Sequence, residues 1–182
     1  LAAFLRAFGF TSDSGEYRVG NTDNPGTSLG QSPMRSPSVF NFYRPGYVPP
    51  GTAAATANLM VPEMQIVHET TAAGYVNVMR DNVSAGVGAF GATNNRRDLQ
   101  GNFAAEIALA DRPAELVAAV NRKLMYGSMP AALATEIEGA VTSIAIPAAT
   151  GSNQAQIDTA KRNRVNAAIF LALVSPEFLV QK

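Results

Sequence analysis

Gly26-Thr27-Ser28-Leu29-Gly30 has the G-x-S-x-G spacing of a nucleophile elbow, in which a strained strand-to-helix turn lifts a serine hydroxyl toward substrate. Its flanks argue against that chemistry. "GNTDNP" precedes the motif, and Pro33 and Pro37 follow it, so neither the strand nor the helix fits. Ser28 therefore reads as a turn serine. Gly86-Val87-Gly88-Ala89-Phe90-Gly91 has G-x-G-x-x-G spacing, which cradles a pyrophosphate only between a strand and a helix N-terminus. Here it follows a predicted helix and runs into polar residues, so it reads as helix termination. Residues 21–32, "NTDNPGTSLGQS", are loosely similar to a calcium loop. Pro25 offers no side-chain oxygen at the fifth position, and Ser32 stands where a bidentate Glu belongs, which excludes an EF-hand. An irregular calcium site from Asp13, Asp23 and Asn24 stays open, because Ca²⁺ accepts loop carbonyls and carboxylates freely.

The single histidine, His68, falls on the edge of a predicted apolar helix face beside Glu69. One histidine cannot build a His-rich zinc site, so no metal centre is expected. A packed or hydrogen-bonded role is favoured over an acid–base or ligand role. Glu63, Arg80 and Asp81 on the same segment read first as surface or salt-bridging groups. "RSPSVFNFYRPGYVPPG" (35–51) gathers four aromatic rings, two arginines and four prolines. Ser36-Pro37 reads as a helix N-cap and first residue, giving one turn through Tyr43 that places Val39, Phe40 and Tyr43 on one face. On this reading Phe40 is core, and the segment plugs the helices. The competing reading is a rigid groove lined by Tyr43, Arg44 and Tyr47, since aromatic rings present large surface at small entropy cost. The plug is preferred. A ligand site, if present, would draw on Tyr43, Arg44, Glu63, His68 and Asp81, with no cofactor expected.

Positioning these groups falls to helices. Leu1, Phe4, Leu5 and Phe8 form a helical stripe closed by Gly9. Residues 11–51 are rich in Gly, Pro, Asn, Asp and Ser, with one strand-like piece, "EYRV" (16–19). Segments this long without regular structure are functional or disordered, and the aromatics favour an ordered, packed loop. Pro62 and Glu63 open a helix on which Met64, Val67, His68, Thr71, Tyr75, Val78 and Met79 share a face. A polar loop is expected over 94–102. Further helices are expected over 103–109, from a cap at Asp111 to Tyr126, from Ser128-Pro130 to Ile144, and over 153–174, with a last turn opened by Ser175-Pro176-Glu177. Val165, Ala168, Ile169, Ala172 and Leu173 should face the core.

The totals agree with a globular domain. The 182 residues suffice for one core, and 15% charged residues is low against about 25% in typical domains. Fourteen basic and fourteen acidic residues cancel, which argues against nucleic acid and anionic lipid as partners. Cysteine is absent, excluding disulfides and thiolate chemistry. The longest apolar run, "AAIFLALV" (167–174), falls short of the roughly 18 residues of a membrane span.

"SLGQSPMRSPSVFNFYRPGYVPPG" (28–51), "LMVPEMQIVHETTAAGYVNVMRDNV" (59–83) and "RVNAAIFLALVSPEFLVQK" (164–182) together resemble the C-terminal part of a bacterial family, domain of unknown function 1800. The likeness rests on a loop like Ser38-Val39-Phe40-Asn41-Phe42-Tyr43-Arg44-Pro45, a helix opening like Val61-Pro62-Glu63, and a close like Ser175-Pro176-Glu177-Phe178. It implies a mostly helical C-terminal region of a larger, exported bacterial protein, periplasmic or extracellular. It also implies a fragment without the family's N-terminal region, and it supplies no activity.

The expected fold is all-α: an irregular multi-helix bundle with a long ordered loop, forming a single domain over 1–182 (1–60 helix end plus loop; 61–182 bundle). The leading functional reading is a non-catalytic structural or interaction module. Its partners would be its own N-terminal region, another exported protein or an envelope glycan. The alternative is an envelope- or glycan-acting enzyme whose site is shared with that N-terminal region.

Overall fold

In a computed structural model of the chain, residues 1–91 and 95–179 are described. The elements run α1 (Ala2–Ala7), β1 (Thr11–Ser12), α2 (Ala53–Thr56), a 3-10 turn (Pro62–Ile66), α3 (Glu69–Ala85), β2 (Val87–Phe90), β3 (Arg97–Gln100), α4 (Ala104–Ile107), α5 (Pro113–Met125), α6 (Ala131–Ser143), α7 (Gln154–Val174) and α8 (Pro176–Leu179). Helices hold about 49% of the residues, and the three strands form an antiparallel sheet, so the fold is mixed α and β, not all-α. The chain separates into two compact units, residues 1–18 with 79–182, and residues 19–78.

The sheet is the main correction to the sequence reading, and its cause is local. Strand order is β1-β3-β2, with Ser12 and Val87 both opposite Leu99. Gly86 and Gly88 carry positive φ (90° and 89°), and a Cβ on Gly86 would lie 2.5 Å from the Leu99 carbonyl oxygen. These glycines end α3 as expected, but they also let β2 run against β3, which takes residues 97–100 of the predicted polar loop. (Asn94, its first residue, lies outside the described residues.) "EYRV" is not a strand; β1 lies just before it. Asp98 fastens the join by accepting from the Ser12 hydroxyl at 2.6 Å and the Ser14 amide at 2.8 Å. The Ser12 bond is the chief reason its carboxyl is held below the usual range.

The helices of this first unit follow their sequence signals closely. Pro113 sits in the first turn of α5, and Tyr126 closes that helix in the left-handed region (φ 53°) before Gly127. Asp111 does not cap α5; it pairs instead with Lys161 of α7. Helices α5, α6 and α7 pack against one another in all three pairings. Val165, Ala168, Ile169, Ala172 and Leu173 are fully buried, as their spacing predicts. Arg164 closes the end of α6 by donating to the Ile144 carbonyl at 2.7 Å, and it reaches the Ala110 carbonyl at 3.0 Å. Orphan carbonyls at a helix terminus are thereby satisfied.

An aromatic cluster joins α1 to this bundle. Phe4 packs on Phe8 and Phe10 (ring centroids 5.6 and 4.9 Å), and Phe103 meets Phe8 at 5.2 Å. Beside them lies Glu106, 1% exposed, whose Oε1 is 2.6 Å from Lys123 Nζ. The same ammonium stands 4.9 Å from the centre of the Phe8 ring. A buried carboxylate needs such a partner, because removing it from water is costly.

The two ends of this pair are unequal, since Lys123 keeps partial access to water. Lys123→Met should cost roughly 3 kcal/mol, as it strands a buried charge. Glu106→Gln should cost clearly less, because the released ammonium can still be hydrated. Chemical denaturation of both variants checks the order, and equal losses would refute it.

Candidate functional site

Residues 19–78 contain Tyr43, Arg44, Glu63 and His68 of the proposed ligand set, with Asp23 and Asn24 of the calcium reading; Asp13 and Asp81 lie in the other unit. This unit is built from turns laid on a helix start. The α3 start is set by Thr71, whose Oγ1 accepts from the His68 amide at 2.9 Å and donates toward the carbonyls of Ile66 (2.6 Å) and His68 (3.0 Å). A side chain three residues into a helix that reaches back to the capping amide fixes where the helix begins. The long amphipathic helix expected from Pro62 is therefore two pieces, a 3-10 turn and α3, broken at Val67-His68. Of the predicted shared face, Thr71 and Met79 are buried and Tyr75 and Val78 half-buried, while Met64, Val67 and His68 are exposed.

A loop lies along the first turns of α3. Thr22 ties its two limbs, accepting at its carbonyl from Leu29 and Gln31 and donating its hydroxyl to Gln31 O at 2.6 Å. Asn24 Oδ1 accepts from the amides of Gly26 and Thr27 (2.9 and 3.0 Å), an Asx turn. Gly74 lets this loop approach: a Cβ there would stand 2.5 Å from Pro25 O. Ser28 sits in this turn with no flanking strand or helix, so the nucleophile elbow is not formed. The G-x-G-x-x-G run becomes β2 rather than preceding a helix, so it has no helix N-terminus to offer a pyrophosphate.

The calcium reading also loses its ligands. Asp23 Oδ2 accepts from Arg35 Nε at 2.7 Å, which holds its carboxyl below the ordinary range. Asn24 is spent on backbone amides, and both Asp13 oxygens accept from Arg96 at 2.8 Å. Among the described residues, no three His, Asp or Glu side chains gather as a metal site.

The aromatic stretch differs from the expected plug. Turns replace the predicted helix. Ser38 to Asn41 closes with an amide-to-carbonyl bond of 3.1 Å, and Asn41 adopts φ 64°. A left-handed residue stops helical propagation there. Phe40 is 57% exposed and Val39 is fully exposed, so neither is core; Phe42, Tyr43 and Tyr47 are half-buried. The stretch is docked through its backbone. Arg44 N donates to Gln65 Oε1 at 2.7 Å, and Tyr47 O accepts from Val61 N at 2.9 Å.

That docking brings the backbone of Tyr43 and Arg44 beside the 3-10 turn that carries Glu63, with His68 just beyond. Arg44, Glu63 and His68 are exposed. Asp81 belongs to the other unit, where it pairs with its neighbour Arg80 at 2.8 Å. Two cavities of that unit, of 410 and 460 Å³, are lined from α6, α7 and α8 and their connections, and none of the five residues lines either. Among the described residues, no helix is long and apolar enough to cross a membrane.

What the sequence reading missed is an apolar surface. Among the described residues, the buried ones of this unit are Ser32, Thr71 and Gly74. Met34, Val39, Phe40, Leu59, Met60, Met64, Val67 and Val76 are exposed. The available signal was charge: residues 19–78 carry only Asp23, Arg35, Arg44, Glu63 and Glu69 as charged side chains. Such a concentration of exposed apolar side chains in one weakly charged unit is the kind of surface used for interaction.

A family model described as protein of unknown function (DUF1800) matches residues 1–180, and the chain belongs to that family. No curated protein and no solved structure matches the chain.

Two outcomes test this geometry. In an open helix Gly74→Ala would stabilise by roughly 1 kcal/mol, but here overpacking against Pro25 should cost about 1–3 kcal/mol and prevail. A raised melting temperature would show that the loop does not lie on α3. Burial pushes the Tyr75 phenol up from 10.0 to about 12. The neutral phenol is then the form the fold prefers. Its contribution is complete below pH 10 and is lost as pH rises through about 12. Phenolate absorbance should show one of five tyrosines titrating late, and Tyr75→Phe should remove that step.

Proposed function

We propose that the chain is a non-catalytic interaction module of a larger exported bacterial protein, and that the apolar surface of residues 34–67 is its docking face. One observation carries this reading: a unit of 60 residues, 19–78, exposes eight large apolar side chains and fully buries none. Phe40, Met60 and Met34 would be poor surface residues in an isolated domain. They are good anchors at an interface, where aromatic residues and Met are enriched and charge is depleted. Low charge on this unit also disfavours anionic lipid as the occupant, since that requires clustered Lys and Arg. A polypeptide with its own apolar face fits better, and the region preceding this one in longer members of the family is the favoured partner.

The test is calorimetric titration of the 182-residue chain with that preceding region, made separately. Binding with a negative heat-capacity change is expected. Phe40→Ser with Met60→Ser should weaken it about tenfold or more, as loss of interface anchors does. Because both positions are exposed, the melting temperature should barely move. Absence of binding, or affinity indifferent to both substitutions, would overturn the reading. So would envelope-glycan binding that depends on Arg44 and ignores Phe40.

A further inference from the structure

The six methionines divide by unit. Met79, Met125 and Met129 are at most 8% exposed and lie in the first unit, while Met34, Met60 and Met64 are 102%, 69% and 47% exposed and lie in the second. The chain has no cysteine, so these thioethers are its only sulfur. Their exposure has local causes. Met34 occupies the third position of a tight turn, Ser32-Pro33-Met34-Arg35, closed by Arg35 N donating to Ser32 O at 3.3 Å. Its φ of 62° suits that position of a turn with proline at the second. Met60 lies in the stretch between α2 and the 3-10 turn, and Met64 lies on that turn, its amide bonded to Val61 O at 3.0 Å.

We propose that Met34, Met60 and Met64 are sites of reversible oxidation by hydroperoxides, and that their sulfoxidation switches the docking face from apolar to polar. The switch rests on the reading of residues 34–67 as an interaction surface. In the step, a sulfur lone pair attacks one peroxide oxygen, the O–O bond breaks and an S–O bond forms. The departing hydroxide takes up the proton of the transferred oxygen and leaves as water; from an organic hydroperoxide the departing alkoxide does the same and leaves as an alcohol. Sulfur is oxidised by two electrons and the peroxide is reduced by two. The sulfoxide is polar and chiral, and sulfoxide reductases return it to the thioether. The buried three are protected because peroxide reaches them only when the core opens, and core opening approaches global unfolding in free energy.

The experiment treats the folded 182-residue chain with dilute hydrogen peroxide and maps oxygen uptake by peptide mass spectrometry. Met34, Met60 and Met64 should react about tenfold or more faster than Met79, Met125 and Met129, and the difference should vanish in denaturant. Equal rates in the folded chain would overturn the site assignment. The switch is read without any partner, by retention on a hydrophobic-interaction column. Retention should fall on oxidation and return after treatment with sulfoxide reductases. A Met34→Leu/Met60→Leu/Met64→Leu variant, close in volume and without sulfur, should keep its retention through peroxide treatment. Selective oxidation with unchanged retention would overturn the switch while leaving the docking face to the calorimetric test.

Discussion

A single buried carboxylate organises the first unit. Glu106 is enclosed on α4, and its charge is met by Lys123 on α5, whose ammonium also faces the Phe8 ring just after α1. Two consecutive helices and the distant end of α1 are therefore held to one ion pair. An apolar residue at 106 could fill the same space, but it would not demand a cation at one place. The phenylalanine cluster supplies burial without direction, and the ion pair supplies direction. Helix α5 is thus fixed in register as well as in contact, and α6 and α7 pack on a surface already set.

Residues 19–78 follow another logic. Their order comes from turns, Asx and hydroxyl caps, the Val61–Tyr47 backbone bond and the Arg44 amide bonded to the Gln65 side chain. Close approach rather than core burial joins loop to helix, through Gly74 and the threonines at 70 and 71. Hydrogen bonds of this kind contribute only about 1 kcal/mol each, yet they set geometry sharply. The result is a shaped surface carrying uncovered apolar side chains, and that is why the docking reading is preferred.

Much of the bundle was legible in the sequence, because its signals are local. Pro113, Gly127, Pro130 and Ser175-Pro176 mark helix ends within a residue or two, and the spacing of Val165 to Leu173 predicts their burial. The sheet was not legible. Its third strand, "RDLQ", buries only Leu99, and its second, "VGAF", buries only Val87 and has no polar side chain, so neither shows alternation. Phe40 was misplaced because aromatic content was equated with burial, and no local signal announces that a turn will face outward. Glu106 left a faint trace, one acidic residue four positions before buried Ala110 in an alanine-rich stretch. The five candidate ligand residues were chosen by chemical type, and the bonds from 44 and 47 to Gln65 and Val61 bring part of that set into one neighbourhood.

The pairing of β1 with β3 sets a clock. Ser12 and Asp98 meet across 86 positions of chain, and residues 19–78 form a unit of their own between them. Lengthening such a loop adds little to the equilibrium cost of closing it, about 0.6 kcal/mol per doubling. The cost falls on time instead, since distant pairings form slowly. On a ribosome adding about 5–20 residues per second, β1 waits on the order of 4 to 17 s for its partner strand. Phe4, Phe8 and Phe10 are made well before Phe103, Glu106 and Lys123, which complete their cluster. For that interval three aromatic rings stand without their core, and the nascent chain depends on whatever shelters them.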